Sequence, residues 1–266
     1  MEHLCHAISM PEEVTQEILR LHNDPAFCPD LSGLTRAETW ETALKDLSAA
    51  LGDDPDGFKQ LCCMLRCALA ARPEFKKRGL SDTIYYDTMG CFSRFVKEHM
   101  ESYGRYGFDR GFWTVRQISC KLFRIGQLEY ELTALEGRNI ISLHIPTDVR
   151  LEPLLLRQSW ERAMPLLARG FPEWAEAPAY CHSWLLSPTL EDLLPPESNI
   201  RRFQQSFTIT PLAVPCTGVI QWVFKNPNLP PERYPEDTSL QRKLKAFLLN
   251  GGVFTDAKGW LLPDPF

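Results

Sequence analysis

Ile140-Ile141-Ser142-Leu143-His144-Ile145-Pro146 opens the stretch whose reading decides the fold, and Ala179-Tyr180-Cys181-His182-Ser183-Trp184-Leu185-Leu186 closes it. Between them lie a polar loop, 147–152, and an amphipathic segment in which Leu156, Trp160, Ala163 and Leu167 recur at helical spacing. Two short β-rich runs joined by a helix are most simply paired parallel, because a parallel pair needs a long crossover where an antiparallel pair needs only a turn. The result is one βαβ unit spanning Ile140 to Leu186. Ligands of such units sit at the carboxyl ends of the strands, where the loop feeds the helix N-terminus, so functional residues are expected from Pro146 onward.

Upstream, Leu128 to Leu135 alternates apolar and polar residues and reads as a half-buried strand. Taken as a four-residue hairpin loop, Glu136–Asn139 sets Leu135 opposite Ile140, Thr133 opposite Ser142 and Glu131 opposite His144. One face then carries Glu131, Thr133, Ser142 and His144. The other carries Tyr130, Leu132, Ile141, Leu143 and Ile145.

From Pro11 to about Tyr106 the period is helical instead. Val14, Ile18 and Leu21 form one stripe; Trp40, Leu44, Leu47 and Leu51 form another, with Thr35 as its cap. A third, from Phe58 to Leu69, is expected to stop near Pro73, and Ser81 caps a fourth carrying Tyr85, Met89, Phe92 and Val96. The glycine-rich run 104–111 divides the chain into a helical domain, 1–112, and a second domain, 113–266. Trp113 to Leu122 reads equally as a short helix or a lead-in strand. In the second domain Pro153 starts the crossover helix and Pro165 is expected to kink or end it. Ser198-Asn199 caps a short helix, Val219 to Phe224 reads as a strand, and Thr238 with Gln241 forms a capping box ahead of a helix closed by Gly251.

With 266 residues, 44% hydrophobic, the chain can bury two modest cores. A net charge of −5 without a dense Lys/Arg run disfavours nucleic acid and anionic membrane as partners. The first residues lack a basic and then apolar leader, and no apolar run reaches the about 18 residues needed to span a bilayer. Nine irregularly spaced cysteines suit reduced thiols in a cytoplasm better than a disulfide framework.

Several groups invite chemical readings. As cross-strand partners Glu131 and His144 make a carboxylate–imidazole pair, which fixes the imidazole tautomer as a general base requires; the same pair also serves as a plain ion pair on a sheet face. Cys181 and His182 are adjacent on a strand and point to opposite faces, so they form no dyad, and a buried inert Cys181 is expected. Cys62, Cys63 and Cys67 lack a matching second ligand pair and read as core rather than zinc ligands; His3, Cys5 and His6 sit on a terminus expected to fray. The loop Thr147-Asp148-Val149-Arg150-Leu151-Glu152 lies where a phosphate would meet helix N–H groups, with Arg150 and Arg157 adding charge, though it has no glycine.

His144-Ile145-Pro146, Cys181-His182-Ser183-Trp184-Leu185-Leu186, Leu194-Pro195-Pro196-Glu197-Ser198-Asn199-Ile200 with Phe203, and Thr238-x-Leu240-Gln241-Arg242 together resemble a bacterial acyltransferase family. In that family a helical N-terminal domain precedes a domain similar to the GNAT N-acyltransferase fold. The resemblance implies an α/β mixed sheet in which two neighbouring parallel strands splay apart and hold an acyl-coenzyme A, used as co-substrate without a metal. It implies transfer of the acyl group to an amine, on a small molecule or peptide, with Glu131 or His144 as base. Ile145, Thr147, Arg150, Arg157, Trp184 and Asn199 are the implied contacts to coenzyme A, Asn199 with the pantetheine arm. The chain departs from the family pattern twice. The spaced glycines of the pyrophosphate loop are missing, and Phe203 stands where a tyrosine often acts as acid, leaving that role to Ser183, Ser198 or water. A non-catalytic ligand- or protein-binding scaffold is the alternative, and a thiol enzyme using Cys181 a third.

Overall fold

A computed structural model describes residues 1–226 and 228–266. The chain divides into two compact units, Met1–Ile125 with Arg169–Phe171, and Gly126–Ala168 with Pro172–Phe266.

The first unit contains helices α1 (Glu2–Ala7), α2 (Glu12–Asn23), α3 (Trp40–Leu51), α4 (Phe58–Lys77), α5 (Asp82–Tyr103) and α6 (Gly111–Ile118), then strand β1 (Leu122–Ile125). Its core is aromatic: Phe75 meets Tyr85 and Phe123 edge-on at centroid distances of 5.3 and 5.4 Å. Ser81 caps α5 through the Ile84 N–H as its position implies. The cap position of α3 is Thr39 rather than Thr35, and its hydroxyl bonds back to the Gly33 carbonyl, closing the turn ahead of the helix. The N-terminus does not fray, because α1 buries Leu4 and Cys5. Segment 113–122 resolves into the end of α6 and the start of β1.

Pro73 does not stop α4, which runs on to Lys77, and Pro165 does not end the crossover helix α7 (Pro153–Gly170). An internal proline costs about 3 kcal/mol. Beyond Pro73 the helix buries Phe75, and beyond Pro165 it buries Leu167. Each burial is worth about 1.5–3 kcal/mol, enough with the remaining hydrogen bonds to carry the helix past the missing donor.

The second unit is a mixed sheet of β2 (Leu128–Leu135), β3 (Arg138–His144), β4 (Ala179–Ser183), β5 (Phe207–Pro215) and β6 (Thr255–Leu261), ordered β2-β3-β4-β6-β5. The β2–β3 turn is two residues, not four: Glu136 and Gly137 both take positive φ, 51° and 77°, and Leu135 pairs with Arg138. Such a left-handed pair matches the twist of the flanking strands. The register therefore moves two residues from the expected one, placing Glu131 opposite Ser142 and Glu129 opposite His144. A shift of two keeps every side chain on its face.

Helix α7 covers the apolar face, where the Ser159 hydroxyl meets the Tyr130 hydroxyl at 2.9 Å and accepts the Leu128 N–H at 3.3 Å. Trp184 to Leu186 leave the β4 strand as a 3-10 turn, because Ser183 accepts the Leu185 N–H and bends the chain. Short helices α8 (Thr189–Leu193), α9 (Asn199–Gln204) and α10 (Gly218–Phe224) follow, then α11 (Ser239–Leu249) behind its Thr238–Gln241 capping box. The β-branched run at 219–224 is thus helical, not a strand. Val219, Val223 and Phe224 bury one face of α10 beside Tyr234 and Leu244, and packing overrides β propensity there.

Candidate active site

Strands β3 and β4 begin as parallel partners and soon cease to be. Their ladder consists of Ile141↔Ala179 and Ser142↔Tyr180. Each strand continues on its outer side, β3 paired to β2 as far as Glu129↔His144 and β4 paired to β6 as far as Ser183↔Ala257. The inner edges of Leu143–His144 and Cys181–Ser183 therefore lie outside the β3–β4 ladder, at the carboxyl ends of both strands.

Residues at matched register share a face. Ser142 aligns with Tyr180, so His144 and His182, two residues further along each arm, project to one side of the sheet. That side is opposite to the face covered by α7. On it the His144 Nε2 lies 2.7 Å from the Glu131 Oε2, the two side chains only 21% and 13% exposed. The contact is diagonal across the strands, which long side chains bridge readily. At this length and burial it is a charge-assisted bond that fixes the imidazole ring.

Two groups on this face escaped sequence reasoning. Glu129 is directly opposite His144 and just 3% exposed; strict alternation puts it there once the strand is recognised. His182 Nε2 lies 3.9 Å from Asp256 Oδ2 on β6. Burial, and the Asp256 carboxylate, push the Cys216 thiol pKa up to about 11. No local spacing links these three residues.

The remaining candidates are dispersed. Ser183 belongs to the Cys181 face of β4, away from His144, and its hydroxyl accepts the Leu185 N–H at 3.2 Å. Ile145 and Thr147 follow directly after β3, half-buried and exposed. Exposed Arg150 donates its backbone N–H to Gln127 and its guanidinium to Glu152 at 2.7 Å. The Arg157 guanidinium donates to the Phe266 oxygen at 2.9 Å and reaches Asp264 at 3.3 Å. Both cations thus have partners within the chain. Trp184 packs towards Phe254, with ring centroids 6.5 Å apart, and exposed Asn199 is the first residue of α9 after its Ser198 cap. Phe203 is buried and stacks on Phe266.

Cys181 is fully buried and burial pushes its thiol pKa up, so it presents neither a thiolate nor an accessible sulfur. Cys62, Cys63 and Cys67 are buried in α4. Among the described residues no helix is long and apolar enough to cross a membrane.

The chain matches the N-acyltransferase N-terminal domain over residues 1–120 and the GNAT-like C-terminal domain over residues 122–261. It is similar to the structure of an acyltransferase in complex with decanoyl-CoA and teicoplanin, at 26% identity, a TM-score of 0.81, and coverage of 97% of this chain and 86% of that one. It is similar also to an acyltransferase mutant in complex with octanoyl-CoA, at 25% identity with a TM-score of 0.82 and coverage of 97% and 86%. An acyltransferase in complex with CoA and 10C-teicoplanin matches at 26% identity, a TM-score of 0.81 and the same coverage. No curated protein matches the sequence. With more than half its length matched by the C-terminal family alone, this chain belongs to the N-acyltransferases built from an N-acyltransferase N-terminal domain and a GNAT-like C-terminal domain.

Proposed function

We propose that this protein transfers an acyl group from a coenzyme A thioester to an amine, with the thioester seated between β3 and β4. The observation that carries the reading is the parallel ladder that ends at Ser142 and Tyr180 while each strand stays paired on its outer side. Backbone N–H and C=O groups along the two inner edges are the kind that an extended chain with amides of its own, such as pantetheine, satisfies by pairing as a strand would. The relatives bound to decanoyl-CoA and octanoyl-CoA support acyl-coenzyme A as co-substrate and a medium-length chain as donor. The teicoplanin complexes support a small-molecule or glycopeptide acceptor. The free, mostly buried cysteines fit work in a reducing cytoplasm.

In this mechanism the amine attacks the thioester carbon directly. His144, oriented by Glu131, removes the ammonium proton as the C–N bond forms. Strand-edge N–H groups polarise the carbonyl, and Ile145, Thr147 and Asn199 line the course of the coenzyme. Arg150 and Arg157 approach its phosphates only by exchanging their present partners. Calorimetry with acetyl-, octanoyl- and decanoyl-CoA, followed by thiol release over an amine panel, tests the reading. Binding with amine-dependent thiol release is expected. Binding without release would make the protein a scaffold, and binding of no thioester would overturn both.

A further inference from the structure

Departure of the coenzyme thiolate calls for a proton donor, and the Ser198 hydroxyl is engaged in capping α9, where it accepts the Arg201 N–H at 3.3 Å. Phe203 has no proton to give and is buried against Phe266. Ser183 projects to the other face of β4. We propose that His182, whose Nε2 lies 3.9 Å from the Asp256 carboxylate, is the general acid that protonates the leaving sulfur. This inference rests on the acyl-transfer reading above.

The argument is one of register. Ser142 and Tyr180 are the last pair of the parallel ladder, so His144 and His182 occupy equivalent positions on the two arms just past the point of separation, facing the same way. Whatever reacts between the arms has one imidazole on each side. Each imidazole has a carboxylate from its outer neighbouring strand: Glu131 of β2 for His144, and Asp256 of β6 for His182. The two pairs differ as a base and an acid should. His144 is tightly bonded and mostly covered, whereas the His182 side chain is 53% exposed and 3.9 Å from its carboxylate, free to recover a proton from water after each turnover. Lys258 lies directly across from His182 on β6, and Tyr180 shares its face on the same strand.

The step balances. The amine lone pair forms the C–N bond, the C–S bond breaks with its electron pair going to sulfur, His144 takes one ammonium proton and His182 gives one to sulfur. Exchange with water resets both rings.

The test compares wild type with His182→Gln and His182→Asn, using hydroxylamine as the amine and two donors, decanoyl-CoA and the decanoyl thioester of an acidic aryl thiol. A thiolate that departs without help needs no acid. With decanoyl-CoA the variants should lose about 10²-fold or more in kcat while binding decanoyl-CoA as wild type does. With the aryl thioester the deficit should shrink below about tenfold. Asp256→Asn should show a smaller loss with the same donor dependence, and Asp256→Glu should recover part of it. An equal loss with both donors would make His182 merely structural and overturn the proposal, as would undiminished turnover of decanoyl-CoA. Wild type that binds no decanoyl-CoA would instead overturn the transferase reading, and this inference with it.

Discussion

At the scale of single residues, the proposed site is built on a 2.7 Å contact between Glu131 and His144, whose side chains are only partly exposed. Glu131→Gln keeps size and hydrogen-bonding capacity but removes the charge that faces the imidazole when it carries the substrate's proton. We expect kcat to fall about 10²-fold with decanoyl-CoA affinity unchanged, measured by thiol release and calorimetry; an unaltered kcat would remove the pair from catalysis. This pair was legible in the sequence for a specific reason. Two strands with alternating pattern determine which residues share a face, and the two-residue error in the hairpin left that parity intact. The partnership of His182 with Asp256 was not legible, since it depends on β6 pairing beside β4 across a long intervening stretch. Inertness of Cys181 was legible, because strand alternation turns it away from His182 and into the core.

At the scale of elements, α4 concentrates an ionisation hazard. Burial pushes the thiols of Cys62, Cys63 and Cys67 up to about 11, 12 and 12 from an ordinary value of 9.0. A thiol whose folded pKa is raised contributes stability that is intact below the unfolded pKa and is lost as pH climbs from there through the folded value, because only the unfolded chain sheds the proton in that window. Stability should therefore be level below about pH 8 and fall above about pH 9, by about 1 kcal/mol per buried thiol at pH 10. Thermal melts from pH 7 to 10.5 check this, and Cys63→Ala should flatten the decline; an unchanged melting temperature to pH 10 would contradict it. Elements were otherwise misjudged where packing outvotes local preference. Proline did not end α4 or α7, whose buried faces continue beyond it, and the β-branched run in α10 turned helical because its apolar residues also fit a helical stripe.

At the scale of the whole molecule, the change from a 3.6 to a 2.0 period near residue 128 announced a helical portion followed by a sheet, and the 140–186 crossover announced the parallel pair. The parting of that pair was not written in either strand. It arises from competition between neighbours: β2 and β6 hold the outer edges of β3 and β4, while the inner edges pair for two residues only. The early end of that ladder is thus a property of the sheet as a whole, and the claim that acyl-coenzyme A lies between the two strands beyond it is the one on which the functional account rests. A crystal structure with a non-hydrolysable decanoyl-CoA analogue tests it most directly. The account predicts continuous density for the pantetheine arm between 143–144 and 181–183, with the carbonyl between His144 and His182. Density for the arm anywhere else on the protein, or β3 and β4 zipped together to their ends beside a bound analogue, would contradict it.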